Sequence, residues 1–196
     1  MNISTFQSNF DFIKSLYFHE EWKDEDCRDT ILRVLEKANE QIEQALGESL
    51  HRLHEHKPTV EAVEKVVKKF PSTLSYEDDE ERIPLQKVAY YYNESGDETA
   101  EPEYVPILAK EGMKHKVGGE DARGGLLLVD PSDFDGWNTL QQFCFLTPTS
   151  DDPARLTAVK ELRKLGLLQK KDIKEYSLLF TSVFTGKQSV FDYLVP

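Results

Sequence analysis

The sequence predicts an all-α chain, a helical repeat solenoid of helix-turn-helix units behind an N-terminal helical cap. Three observations carry that prediction. Between Asp24 and Leu46 the residues Cys27, Ile31, Val34, Leu35, Ala38, Ile42 and Ala45 recur at steps of three and four with charge between them, the stripe of an amphipathic helix. Beyond it, four short lines echo one another: "SLHRLHEH" from Ser49, "IPLQKVAYY" from Ile83, "NTLQQFCFL" from Asn138 and "YSLLFTSVF" from Tyr176. Their leucines, Leu50, Leu85, Leu140 and Leu178, stand 35, 55 and 38 residues apart, the spacing of repeated helical units. Each line is followed, after a polar break, by a second amphipathic segment.

The elements follow in order. The aromatic-rich stretch Phe6 to Phe18 reads as a weaker helix or an apolar arm. Asp24 stands where an N-cap belongs, and Gly47 where a C-cap glycine belongs. The first second-helix segment is "PTVEAVEKVVKKF", with Val60, Val63, Val66, Val67 and Phe70 on one face. "PSTLSYEDDEERIPL" then gives a turn, a short extended piece and an acidic connector. The later partners are "EYVPILAKEG", "DPARLTAVKELRKLG" with Leu156, Val159, Leu162 and Leu165, and "KQSVFDYLV". The chain accordingly divides into a cap, residues 1–47, and about four repeats, 48–82, 83–137, 138–175 and 176–196. With 39% hydrophobic and 11% aromatic residues it can build a core.

The stretch "TVEAVEKVVKKFPSTLSYEDDEERIPLQKVA" resembles the ankyrin repeat. Val66 and Val67 stand for that family's leucine pair, Leu74 for the apolar residue of the finger, Asp78 for its aspartate, and Pro84 with Leu85 for its Pro-Leu step. "DFDGWNTLQQF" repeats the connector with Asp135, Gly136, Thr139 and Leu140. The departures are Pro71 in place of the glycine turn, an acidic insertion over residues 93–102, and an overlong second finger over 113–134. The chain is similar to the divergent ankyrin-like proteins that some algae carry. The resemblance implies a protein–protein interaction module or scaffold that binds through a concave surface of fingers and inner helices, without catalysis.

Charge and cysteine usage narrow the partners. Lys plus Arg number 24 against 36 Asp plus Glu, a formal charge of −12 that repels phosphate backbones and argues against nucleic acid. Cys27 and Cys144 show neither a paired spacing nor a zinc-knuckle pattern. No stretch approaches the roughly 18 apolar residues of a membrane span, and the first residues lack the apolar run of a secretory signal. The expected compartment is the cytoplasm or nucleus, with no cofactor.

The chemically suggestive residues each have two readings. His51 and His54 lie one helical turn apart, and with His56 or Glu55 as a third ligand they can hold zinc or nickel. That is the alternative function, a small intracellular metal-binding protein or enzyme. In the ankyrin register, His51 instead takes the structural position of the family's Pro-Leu-His step, with Gln86, Gln141 and Leu179 at the later equivalents. Cys144, with His115 as a distant base, can be read as a nucleophile, but its neighbours Phe143, Phe145 and Leu146 favour a buried thiol. Gly118, Gly119, Gly124 and Gly125 lack phosphate-loop spacing and suit positive-φ turns.

Acids are concentrated in one region. Residues 77–103 hold ten acids against Arg82 and Lys87, whereas 155–174 hold seven bases, beginning with Arg155, against Glu161 and Asp172. The surface is expected to be polarised, with Asp78, Asp79, Glu80, Glu81 and Arg82 as candidate partner-binding residues facing a basic protein segment. Solvation alone also accounts for such a run. The final helix should leave Val190, Tyr193 and Leu194 partly uncovered, which invites self-association at that end.

Overall fold

The computed structural model describes residues 25–92, 98–131, 136–145, 152–179 and 188–195. The expected helix or arm over residues 6–18, the N-cap Asp24 and the connector residue Asp135 lie outside them. The described residues are mostly helical, as the periodicity predicts. The chain divides into two units, residues 1–45 and 46–196.

The first helix, α1, runs Glu25–His51. It corrects the expected stop at Gly47 and the separate start at Ser49. Gly47 lies inside the helix because a Cβ there would meet the Tyr76 ring at 2.4 Å, so the glycine serves close approach and not chain reversal. Within residues 25–45, Ile31, Leu35, Ala38 and Ile42 are half-buried as the stripe predicts, but Val34 is 63% exposed. A short α2, Leu53–His56, ends at Lys57 with a positive φ of 39°.

In the second unit, helices of two kinds alternate. The longer ones are α3, Val60–Lys69, α5, Val105–Lys114, and α7, Asp152–Lys164, followed by α9, Gln188–Leu194. They pack in chain order, α3 on α5, α5 on α7, and α7 on α9. The shorter α4, Pro84–Ala89, and α6, Thr139–Phe145, pack on each other, and α4 also packs on α5. A further short helix, α8, spans Lys170–Glu175. Local signals explain the boundaries. The Thr59 hydroxyl accepts from the Ala62 N–H at the start of α3, and Pro84 opens α4 where a missing N–H is harmless.

The repeated leucines hold this arrangement together. Leu50, Leu85, Leu140 and Leu178 are all buried in one apolar cluster with Val63, Val67, Leu108, Phe143, Val159 and Leu162. The expected extended piece after α3 is instead a 3₁₀ turn, Pro71–Ser75. After α4, β1 Tyr91–Tyr92 pairs antiparallel with β2 Glu98–Thr99.

The long segment after α5 is no simple hairpin finger. Its residues Glu120–Gly125 form 3₁₀ turns kinked at Arg123 and Gly124 and folded against α5, and among the described residues Val129 and Asn138 pair across an isolated bridge. The four glycines do take positive φ, as expected. At Gly124, with φ +68°, a Cβ would lie 2.2 Å from the Ala109 carbonyl oxygen, so the turn can seat against α5 only without a side chain.

The end of the chain also differs from expectation. Val190 and Leu194 are buried, because α7 covers the apolar face of α9. Tyr193 is half-buried with Lys160 and Arg163 over its ring. Val195, at 42%, is the exposed apolar residue there.

Candidate functional site

Three of the sequence-marked residues, His51, Asp78 and Arg82, meet where α1 ends beside the acidic connector. His51 is buried, and its Nε2 lies 2.9 Å from the Tyr76 carbonyl oxygen, to which it donates. Its Nδ1 then faces the Asp78 carboxylate at 3.8 Å, beyond hydrogen-bond reach. Burial pushes the His51 pKa below its ordinary 6.5, against the opposing Tyr76 carbonyl and Asp78 charge.

Asp78 organises the connector itself. Its Oδ1 accepts from the backbone N–H groups of Glu80 at 3.0 Å and Arg82 at 2.9 Å, and its Oδ2 sits 3.3 Å from the Arg82 guanidinium. Burial would raise the Asp78 pKa. The Arg82 N–H and guanidinium, the Glu80 N–H and His51 outweigh it, so the carboxyl titrates below its ordinary value. Arg82 is buried and also pairs with Glu80. Lys87 Nζ completes the group, 3.9 Å from Asp78 Oδ2, with its pKa lowered by burial and by Arg82.

Of the five candidate partner-binding residues, Asp78 and Arg82 are thus occupied by the turn. Asp79, Glu80 and Glu81 are exposed, with Glu81 held at φ +60° at the tip.

The three histidines are sent in different directions. His54 lies against Tyr91, with centroids 4.5 Å apart and the rings tilted by 38°, and burial lowers its pKa. His56 is exposed and borders a small apolar pocket with Leu50, Leu53 and Val63. Among the described residues, no three His, Cys, Asp or Glu side chains gather as a metal-holding group. Cys144 is fully buried, and burial pushes its thiol up to about 12, far from the thiolate a nucleophile requires.

One pattern was present in the sequence as "IPLQ" and "NTLQ", and the structure gives it a function. Gln86 Oε1 accepts from the Ile83 N–H at 2.9 Å, while its Nε2 donates to the Val129 carbonyl at 3.1 Å. Gln141 repeats both contacts, with the Asn138 N–H at 3.0 Å and the Tyr176 carbonyl at 3.4 Å. One arm caps the residue's own helix, and the other reaches a carbonyl in the segment that leads to the next repeated leucine. His51 makes only the second contact. Because α1 continues unbroken through His51, no helix start needs capping there, and a single donor suffices.

Other buried charges had no sequence signal. Arg123 reaches out of the 3₁₀ turn to pair with Asp172 and to donate to the Leu167 carbonyl at 3.3 Å. Asp172 also accepts from the Gln169 N–H at 2.6 Å, at the start of α8. Arg155, counted from the sequence as part of a basic surface, is instead fully buried. It lies over the Phe143 ring and donates to the Phe143 carbonyl.

Among the described residues no helix is long and apolar enough to cross a membrane. Comparison of the chain with protein-family models, with curated proteins and with solved structures finds no match to any of them.

Proposed function

We propose that the chain is a divergent ankyrin-like solenoid acting as a non-catalytic protein-interaction module. The observation that carries this reading is the recurring tie made by His51, Gln86 and Gln141, from the end of the long α1 and from the short α4 and α6, to the connector that leads to the next repeated leucine. Equivalent side chains making equivalent bonds at the spacing of the repeated leucines are what a stack of like modules requires. The occupied chemistry of His51, Asp78 and Cys144 supports a scaffold over an enzyme. A metal-binding function centred on His51 and His54 gains no support from the described geometry.

Helices α4 and α6 offer little open surface, since α4 exposes only part of Lys87 and the described side chains of α6 only part of Gln141. The acidic tip Asp79–Glu80–Glu81 is therefore the face proposed to meet a basic segment of a protein partner. Affinity capture with the intact chain and with the Asp79→Lys, Glu80→Lys, Glu81→Lys variant tests this. Partners retained by the first and lost by the second support the reading, and identical sets refute it.

A further inference from the structure

A second surface lies away from the acidic tip, on the layer of longer helices. Between α3, α5 and α7 a groove of about 460 Å³ opens to solvent, within the range of pockets that hold ligands. Pro106 and Ile107 of α5 contribute its floor, Val60 of α3 one wall, and Ala154 and Ala158 of α7, with Leu165 just beyond its end, the other. Ala154, Ala158 and Glu161 recur along one face of α7, and the two alanines keep that wall thin. Glu64, Glu103 and Glu161 line the groove with one lysine, Lys110, which pairs with Glu64 at 3.9 Å. Glu64 pairs with Lys68 at 2.6 Å and Glu161 with Lys164 at 3.4 Å, whereas Glu103 is exposed and makes no ion pair among the described residues.

An apolar floor edged by three carboxylates selects a ligand with an apolar face and flanking positive charge. The volume takes about three large side chains, the number that a helix presents at i, i+4 and i+7. We propose that this groove docks an amphipathic helix of a protein partner, its apolar anchors between α3 and α7 and its Lys or Arg residues against Glu103 and Glu161. This surface goes beyond the acidic tip and does not depend on it.

The test uses the intact chain and a labelled helical peptide of about 18 residues, leucine at the anchor positions and lysine elsewhere. A counterpart carries glutamate in place of lysine. Fluorescence anisotropy should show the lysine peptide binding at least about tenfold tighter than its counterpart. Ala154→Trp fills the groove from an exposed position and should weaken binding about tenfold or more. Thr157→Trp, also exposed, should do the same should the first variant melt early. Glu103→Lys with Glu161→Lys should weaken it about fivefold, while the Asp79, Glu80, Glu81 lysine variant should bind as the parent does. Affinity unchanged in both tryptophan variants would mean general attraction to an acidic protein and would overturn the proposal. So would a dimer of the chain alone that Ala154→Trp dissociates, since a second copy would then be the occupant.

Discussion

Replacing His51 separates a structural donor from a functional imidazole. His51→Gln places an amide where Gln86 and Gln141 already make the same contact, so the bond to the Tyr76 carbonyl should survive. His51→Ala removes the donor and leaves that carbonyl without it. The bond is part-buried, so an orphaned acceptor there costs up to about 1–3 kcal/mol, and the space left by the buried ring adds to it. The alanine variant should therefore lose about 2–4 kcal/mol, and the glutamine variant less than about 1 kcal/mol.

The pH dependence follows from the same burial. The folded His51 pKa lies below 6.5, so in acid the unfolded chain takes up the proton more readily. Its contribution is full above about pH 6.5 and is lost as pH falls toward the folded value. His54 shifts in the same direction and remains in every variant. Urea midpoints at about pH 7.5 and about pH 5.5 should thus separate less in His51→Gln than in the parent. The reasoning fails if the glutamine variant is as unstable as the alanine variant, or if its two midpoints lie as far apart as the parent's.

Three further outcomes are expected. In a Cys27→Ser background, Cys144 should resist a thiol reagent such as dithiobisnitrobenzoate in the native chain and react once urea unfolds it, as burial and a pKa of about 12 require. Arg123→Met should cost about 3–5 kcal/mol by stranding the buried Asp172 carboxylate, and adding Asp172→Asn should recover part of that in a double-mutant cycle read by urea melts. Gly124→Ala should cost about 3 kcal/mol or more in the same assay, because the new Cβ meets backbone atoms at a positive φ.

The second helices were legible because their apolar spacing is local information. Val63, Val67, Val159 and Leu162 are buried where the period placed them. The repeated leucines were legible for the same reason. Gly47 was misread since glycine serves both chain reversal and close approach, and the Tyr76 ring that decides between them lies 29 residues onward. Arg155 was misread because only tertiary packing brings Phe143 over its guanidinium. Of the candidate site, the sequence located His51 and the acidic turn, but not which groups the fold would occupy. The α3–α5–α7 groove has no local signature, as its lining comes from three segments whose alignment exists only after packing.

In the proposed solenoid, the ties made by His51, Gln86 and Gln141 would also govern how the repeats come apart. Each joins a helix to the stretch feeding the next, so loosening one link removes support from its neighbour, as in a zipper. At the fourth equivalent position Leu179 has no polar side chain to extend the series. Opening should therefore begin at the carboxy-terminal pair and travel inward. Amide protection should rise from α9 toward α4, a gradient along the chain in place of one cooperative threshold.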